Sequence, residues 1–321
     1  MEASSRAGRQ GLPYRSLRDY LRAEFGAPLQ RLCLDAGFTC PNRDGSKAVG
    51  GCTFCDVAGS GASHIEETLG VRRQVQHQVA LSEKRHGRSR YIAYLQAFTN
   101  TYGPIDRLRA VYDAAVSHPD VAVLSVGTRA DCVDGSVCDL LAEFNRRVEV
   151  WLELGLQSVN QATLDRVNRA ETPDDFRLAC RMSRCRGLRV VAHLIVGLPG
   201  DTPADCLRAV DLLNEEGVWG VKIHNLYIDS RAPMAAEWEA GGIPTMTQEE
   251  YVACVCDMLE RLHPETVIHR LTGQAPRAFH LAPLWALNKG AVLEAITAEM
   301  RRRGSAQGCR FRPSNQSSGR V

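Results

Sequence analysis

The chain has 321 residues, of which 44% are hydrophobic and 24% are charged, a composition typical of a globular protein. Its formal net charge of +2 gives no strong electrostatic basis for nucleic-acid binding. The N-terminus lacks the apolar segment of a secretory signal, and no stretch is apolar enough for a membrane helix. We therefore expect a cytoplasmic protein without a membrane partner, whose twelve cysteines stay reduced and serve as metal ligands where they cluster.

Apolar segments of strand length alternate with helical patterns along the chain. Six strands are predicted, at 31–37, 91–98, 121–128, 148–157, 188–200 and 219–228. Helical patterns lie between them and continue to residue 303, with one more apolar strand at 266–273. Continuously apolar strands that alternate with helices imply a parallel sheet with helices outside. The pattern thus predicts an α/β fold, either an incomplete TIM-like barrel or a doubly wound sheet, with functional groups after the strand C-termini.

Composition also suggests how the chain is divided, although no linker precedes residue 304. We predict an N-terminal extension at 1–30, a core barrel at 31–230, a C-terminal region at 231–303 and a basic, disordered tail at 304–321. Residues 301–321 carry six arginines and no acidic residue. A helix C-terminus favoured by cations, followed by a disordered tail, explains this charge better than an RNA-contacting tail, which stays open as the alternative.

Three cysteines lie in the loop after the first predicted strand, in the segment CPNRDGSKAVGGCTFC. They are Cys40, Cys52 and Cys55. A structural zinc site takes four ligands, and no second C-x2-C pair is present, so His64 would have to be the fourth. Three cysteines without a fourth also hold an iron–sulfur cluster in which one iron stays open to a cofactor. The spacing favours the cluster over zinc but leaves both hypotheses open.

A family resemblance rests on seven segments that keep their order along residues 14–305. They are LDAGFTCPNRDG…GGCTFC, QAFTNTYGP, SVGTRADC, LELGLQS, HLIVGLPGDT, VKIHNLYI and VIHRLTG…LNK. Together they resemble the YhcC-like branch of the radical SAM superfamily, which is similar to the radical SAM domain of the Elongator catalytic subunit. The resemblance implies a partial (β/α)6 TIM-like barrel with parallel strands and a short C-terminal extension.

The resemblance also implies a cofactor set. The three loop cysteines would bind a 4Fe-4S cluster, and the open iron would bind S-adenosylmethionine. An electron donor such as flavodoxin or ferredoxin would reduce the cluster. S-adenosylmethionine would then be cleaved to a 5′-deoxyadenosyl radical, which abstracts hydrogen from a substrate.

Polar and glycine-rich positions at the strand ends are expected to contact S-adenosylmethionine. They are Gln96, Asn100, Arg129, Gln157, Ser158, Gly197 and Pro199. Some also have a structural explanation, because turns use Gln96 and Asn100, an aspartate can pair with Arg129, and a strand-to-helix turn explains Gly197 and Pro199. Gly127 stands where relatives of the Elongator type often have a glutamate, which removes an acid from this edge of the sheet.

Four further residues are candidates for substrate contacts: Lys222, His224, His269 and Arg270. Lys222 and His224 are two apart on a predicted strand, so their side chains face the same side, which in a barrel would be the interior. The alternative for each histidine is a satisfied core residue, and His269 and Arg270 could instead cap the barrel.

The leading hypothesis is therefore a radical SAM enzyme with an unidentified substrate, and modification of the wobble uridine of tRNA is its most specific form. A rival hypothesis is a zinc-stabilised binding or scaffold protein in which the cysteine loop forms a knuckle. A third is a barrel that keeps the cluster but has lost catalysis, for which the absence of an acid at Gly127 is the argument.

Overall fold

The computed structural model describes residues 11–56 and 69–313, and its main element is a curled sheet of seven parallel strands. In chain order the strands are β1 (Gln30–Leu34), β2 (Tyr91–Leu95), β3 (Val121–Thr128), β4 (Glu149–Gln157), β5 (Arg189–Val196), β6 (Gly220–Asn225), β7 (Ile228–Asp229), β8 (Val267–Arg270) and β9 (His280–Ala282). The main sheet has the order β1-β2-β3-β4-β5-β6-β8, while β7 and β9 form a separate antiparallel pair. The predicted partial barrel is confirmed.

Ten helices lie in the described residues, and most of them connect consecutive strands of the main sheet. They are α1 (Leu17–Phe25), α2 (Val71–His86), α3 (Ile105–Ala115), α4 (Gly135–Asn145), α5 (Gln161–Arg166), α6 (Pro173–Arg184), α7 (Pro203–Glu215), α8 (Met234–Glu239), α9 (Gln248–Arg261) and α10 (Lys289–Arg302). Thr172, Thr202 and Thr247 each begin a helix with a capping box, which satisfies backbone N–H groups that the helix leaves unpaired. No helix of this described part is long and apolar enough to cross a membrane.

The inside of the barrel is closed at its N-terminal end by apolar side chains. Ile92, Trp151, Val191 and Val267 fill this end, and Tyr20 from α1 packs against them. A second, larger core lies between the outer face of the sheet and the surrounding helices. Because one end is filled, open space in the barrel lies at the C-terminal ends of the strands, where parallel α/β folds place their ligands.

The segment predicted as a strand at 266–273 forms the seventh strand, β8, which pairs in parallel with β6. The sheet therefore has one strand more than the six repeating units that the sequence indicates. In the described residues β1 and β8 are its two edges and do not pair with each other. Strand pairing therefore does not close the barrel between β1 and β8, and we call this gap the side opening. The segment before α1 covers part of the β8 edge, where the Ile268 N–H donates to the Arg15 carbonyl at 2.8 Å.

The first part of the predicted disordered tail is docked against the barrel. The Gly308 N–H donates to the carbonyl of Leu259 at 3.0 Å, and the Arg310 N–H donates to that of Glu260 at 2.7 Å. The Gln307 side chain also accepts from the Arg15 N–H at 2.9 Å and so joins both ends of the described chain. Residues 304–313 are thus ordered because their polar groups find backbone partners, while 314–321 lie outside the described residues.

Candidate active site

A cavity of about 480 Å³ opens at the C-terminal ends of the strands. Cys40, Cys52 and Cys55 line it, from the loop that follows β1. Glu153 and Lys222 also line it, but from the middle of β4 and β6. Because mid-strand residues lie deeper in the barrel than loop residues, the cavity has a thiol-lined outer part and a charged inner part.

The cysteine loop is held by hydrogen bonds to two other segments. The Thr53 N–H donates to the carbonyl of Val167 at 3.0 Å, and the Met234 N–H donates to the carbonyl of Thr53 at 2.9 Å. Close to the cavity, the Asn42 amide donates to the Cys52 sulfur at 3.5 Å, and an Arg169 N–H donates to the same sulfur at 3.7 Å. These two donors hold the Cys52 sulfur in place at the cavity.

The two metal hypotheses differ in the number and arrangement of ligands that they need. Among the described residues, no three histidine, cysteine, aspartate or glutamate side chains lie close enough to hold one metal ion. A zinc knuckle needs its ligands to converge on one ion, whereas a 4Fe-4S cluster takes each thiolate on a separate iron. Three thiols that line one cavity match the protein ligand set of a 4Fe-4S cluster with one open iron, whereas a structural zinc site needs a fourth ligand. His64, the fourth ligand that zinc would need, lies outside the described residues.

Arg129 lines the cavity, but most of its N–H groups are used by the protein. Its Nε and Nη2 donate to the Asp131 carboxylate at 2.9 and 2.8 Å, and its Nη1 donates to the carbonyl of Arg169 at 2.9 Å. Lys47 of the cysteine loop pairs with Asp131 at 2.6 Å. Glu171 completes the buried network. The structure therefore favours the structural explanation of Arg129, which ties the cysteine loop to β3.

Gln96 and Gln157 line the cavity, as predicted for contacts with a cofactor. Gln157 has a φ of +65°, which is strained for a residue with a side chain and is typical of functional positions. Gly155 makes room for it, because a Cβ there would lie 2.5 Å from the Gln157 Nε2 and 2.9 Å from an Arg169 nitrogen. The local backbone is thus arranged to hold the Gln157 carboxamide at this position.

Asn100, in contrast, does not line the cavity and is fully buried beside it. Its Nδ2 donates to the carbonyls of Leu95, Ala97 and Gly127, at 3.2, 3.0 and 2.9 Å. It braces the ends of β2 and β3. At Gly127 itself, a Cβ would lie 3.1 Å from the Leu95 carbonyl oxygen, so close packing accounts for the glycine. The argument for lost catalysis from this glycine therefore loses its support.

Three other predicted cofactor contacts also lie outside the cavity lining. Ser158 donates from its hydroxyl to Asp201 at 2.9 Å. Gly197 has a φ of +92°, and a Cβ on it would lie 3.1 Å from the Met246 sulfur. Pro199 is buried in the turn that follows β5. These residues lie behind the cavity lining, and the strand-to-helix turn after β5 explains Gly197 and Pro199.

A buried hydrogen-bonded group, which we call the Glu153 network, occupies the inner part of the cavity. The Glu153 carboxylate accepts from the Ser125 hydroxyl at 2.6 Å and from the His193 Nε2 at 2.7 Å, and it forms an ion pair with Lys222. Lys222 also donates to the Tyr94 hydroxyl at 3.2 Å and lies 4.5 Å from the centre of that ring. Glu153 and Lys222 are 3% and 2% exposed, so this charge pair is shielded from solvent.

Burial and pairing act in opposite directions on the network's protonation. Burial lowers the pKa of Lys222 to about 7, although the Glu153 charge opposes this. Burial raises the pKa of Glu153, but the Lys222 charge and the His193 hydrogen bond outweigh it and hold the pKa well below the usual range. Burial also lowers the pKa of His193, so its ring is neutral near pH 7 and donates from Nε2 to the ionised carboxylate.

The structure separates the four predicted substrate residues into two groups. Lys222, His224 and Arg270 line the cavity, whereas His269 does not. The His224 ring stacks on that of His193, with 5.8 Å between the ring centres. His269 packs edge-on against two tryptophan rings of the closed barrel end, Trp151 among them, at 5.0 Å between centres. His269 is therefore part of the barrel interior below the cavity.

Some cavity residues were not predicted from the sequence. Tyr94 is two residues before Gln96 on β2, so the alternation that indicated Lys222 and His224 could have identified it. Arg231 contacts both Asp229 and Asp56, each at 2.7 Å, and so links the cysteine loop to β7. No local pattern could have identified this contact, because it joins residues far apart in the chain.

The fold and the thiol-lined cavity define a class of enzyme that family models also identify. The model of the radical SAM superfamily matches residues 40–213, and the model of the radical SAM C-terminal domain matches residues 218–302. The chain belongs to the radical SAM superfamily, and it is a radical SAM enzyme.

Two relatives match nearly the whole chain. Protein YhcC of Escherichia coli (strain K12) is 42% identical over 84% of this chain and 86% of its own length. Protein YtqA of Bacillus subtilis (strain 168) is 39% identical over 92% of each chain. Among solved structures, the archaeal Methanocaldococcus infernus Elp3 with an N-terminal deletion has a TM-score of 0.60 at 16% identity, over 87% of this chain and 64% of that one. This last likeness shows the shared fold, and the chain spans less than two thirds of that protein.

Proposed function

We propose that Cys40, Cys52 and Cys55 bind a 4Fe-4S cluster and that S-adenosylmethionine binds beside it in the cavity. The observation that carries the proposal is that one anchored loop brings three thiols to the edge of one cavity at the C-terminal ends of the strands, where parallel α/β folds place their ligands. When bound, the cluster supplies the electron that cleaves S-adenosylmethionine to methionine and a 5′-deoxyadenosyl radical, which abstracts hydrogen from the substrate.

The residues around the cavity would have three roles in this chemistry. Gln96 and Gln157 would orient S-adenosylmethionine by hydrogen bonds from the strand ends. Arg129 would act as a positioning residue, since its network with Asp131 and Lys47 holds the cysteine loop against β3. Asn100, Ser158, Gly197 and Pro199 would shape the cavity wall, and the filled barrel end would exclude water from the reacting atoms.

The proposal extends to the cell compartment and the electron source. All twelve cysteines are unpaired with one another, which supports a reducing compartment, and we propose the cytoplasm. A small redox protein such as flavodoxin or ferredoxin would supply the electron. Lys222, His224 and Arg270 would contact the substrate from the inner part of the cavity.

We further propose that the substrate is tRNA and that the wobble uridine is the modified base. The support is that the YhcC-like branch, which this chain resembles in seven ordered segments, is similar to the radical SAM domain of the Elongator catalytic subunit, together with the arginines of residues 301–321.

The test uses the reconstituted, reduced protein with S-adenosylmethionine and total tRNA, followed by mass spectrometry of the nucleosides. We expect a new mass at the wobble uridine and more 5′-deoxyadenosine than in the absence of tRNA. The control is tRNA digested to nucleosides beforehand, which should give neither effect. Unchanged nucleosides without any stimulation would rule out tRNA as the substrate.

A further inference from the structure

One cation of the cavity, Arg270, is not neutralised by the protein. It is half-buried at the end of β8, and its guanidinium makes no hydrogen bond or ion pair with any described residue. Other arginines that line the cavity do have carboxylate partners: Arg231 pairs with Asp229, and Arg129 pairs with Asp131. A half-buried guanidinium without an anion is costly, and such a group commonly binds an anionic ligand.

Among the described residues that line the cavity, no carboxylate is left to balance Arg270. The Glu153 carboxylate already accepts from Ser125, His193 and Lys222, so its charge and lone pairs are engaged. The remaining carboxylates of the lining, Asp56 and Asp229, both pair with Arg231. The inner part of the cavity is therefore electropositive before any ligand binds.

Two more cations lie at the side opening between β1 and β8. The guanidinium carbon of Arg31, on β1, lies 5.3 Å from the centre of the Tyr94 ring, and the Lys222 Nζ contacts the same ring. Lys289 lies at the start of α10, close to Arg270 and Arg31. Partial burial and the positive charges of these two arginines lower the pKa of Lys289. Neither Arg31 nor Lys289 forms an ion pair within the described residues. The positive charge thus extends from the inner cavity to the side opening.

A buried hydrogen-bonding atom of the cavity also lacks a partner. The Nε2 of His224 is inaccessible to solvent and has no hydrogen-bond partner among the described residues. Burial lowers the pKa of His224 well below its usual value, with Arg270 the next cause, so the neutral ring can donate one N–H. A buried donor without an acceptor indicates that a ligand supplies one.

We propose that Arg270 and His224 bind a phosphate group of the substrate in the inner part of the cavity, with Arg31 and Lys289 attracting it through the side opening. Phosphate suits this place because it carries up to two charges and several acceptor oxygens, which match an unpaired fork of N–H donors. The inference rests on the proposed function, since the bound phosphate would hold the remainder of the substrate toward S-adenosylmethionine.

The test measures binding of inorganic phosphate to the reconstituted full-length protein by isothermal titration calorimetry, at constant ionic strength and with saturating S-adenosylmethionine. We expect binding that Arg270→Gln weakens about tenfold or more, because hydrogen bonds to charged groups are strong. The matched control is Arg277→Gln, since Arg277 is exposed on the same connection but does not line the cavity. This control should bind phosphate as the unsubstituted protein does.

Several outcomes would overturn the inference. They are no phosphate binding, equal binding by Arg270→Gln, tighter binding of acetate than of phosphate, or phosphate binding that occurs only when S-adenosylmethionine is omitted and is therefore displaced by it. Such displacement would indicate that Arg270 binds the carboxylate of S-adenosylmethionine instead of a substrate phosphate. The failure of the inference is distinguishable from failure of the proposed function, because formation of 5′-deoxyadenosine by the unsubstituted protein is measured without phosphate and does not depend on phosphate binding.

Discussion

Replacement of Cys52 by alanine is expected to abolish both iron binding and formation of 5′-deoxyadenosine while the barrel stays folded. Cys52 is a buried thiol of the cavity, and its sulfur accepts hydrogen bonds from Asn42 and Arg169. With two thiolates left, the cluster loses one of its three protein ligands and does not persist. The measurements are iron content and the visible absorption spectrum after anaerobic reconstitution, with circular dichroism as the test of folding.

The matched control for this variant is Cys185→Ala. Cys185 is an exposed free cysteine at the end of α6 and does not line the cavity. It should bind as much iron as the unsubstituted protein. If Cys52→Ala kept its full iron content and absorption spectrum, the assignment of the three loop cysteines would be wrong.

Replacement of Lys222 by methionine is expected to lower the free energy of unfolding by about 3–5 kcal/mol, as breaking one half of a buried ion pair does. The variant leaves the Glu153 carboxylate buried without its cation, although Ser125 and His193 still donate to it. The double variant Lys222→Met with Glu153→Gln removes both charges and should recover most of this loss. Chemical denaturation of the three proteins at one pH measures the difference.

A surface ion pair provides the control for this prediction. Arg261 pairs with Asp211 at 2.5 Å, and both side chains are partly exposed. Because exposed pairs contribute about 1 kcal/mol or less, Arg261→Met should change the unfolding free energy far less than Lys222→Met does. Equal losses in the two variants, or a double variant as unstable as Lys222→Met, would show that the Glu153–Lys222 charges are not shielded from solvent.

Local sequence patterns were sufficient to predict the strands and the position of the cysteine loop. Apolar runs separated by helical patterns predicted a parallel sheet, although an incomplete barrel and a doubly wound sheet both stayed open. In either fold the loop after β1 lies at the C-terminal edge of the sheet, where the structure places it. Alternation along β6 correctly placed Lys222 and His224 on the same inner face. These features depend on neighbours in the chain, so they can be read from spacing alone.

The predictions that the structure corrected depend on contacts between distant segments. Asn100 is a polar residue after a strand, as a ligand contact would be, but carbonyls of two strand ends bind its amide instead. The ordered segment at 304–313 finds partners on α9, about fifty residues earlier in the chain. Similarly, the pairing of Glu153 with Lys222 depends on the registers of β4, β5 and β6 together. Spacing within one segment contains no information about such registers.

The most direct test of the proposed chemistry is the formation of 5′-deoxyadenosine by the anaerobically reconstituted and reduced protein in the presence of S-adenosylmethionine. The account predicts a brown protein that forms 5′-deoxyadenosine, and loss of both properties when Cys40, Cys52 or Cys55 is replaced by alanine. A colourless protein that holds stoichiometric zinc and forms no 5′-deoxyadenosine would contradict it.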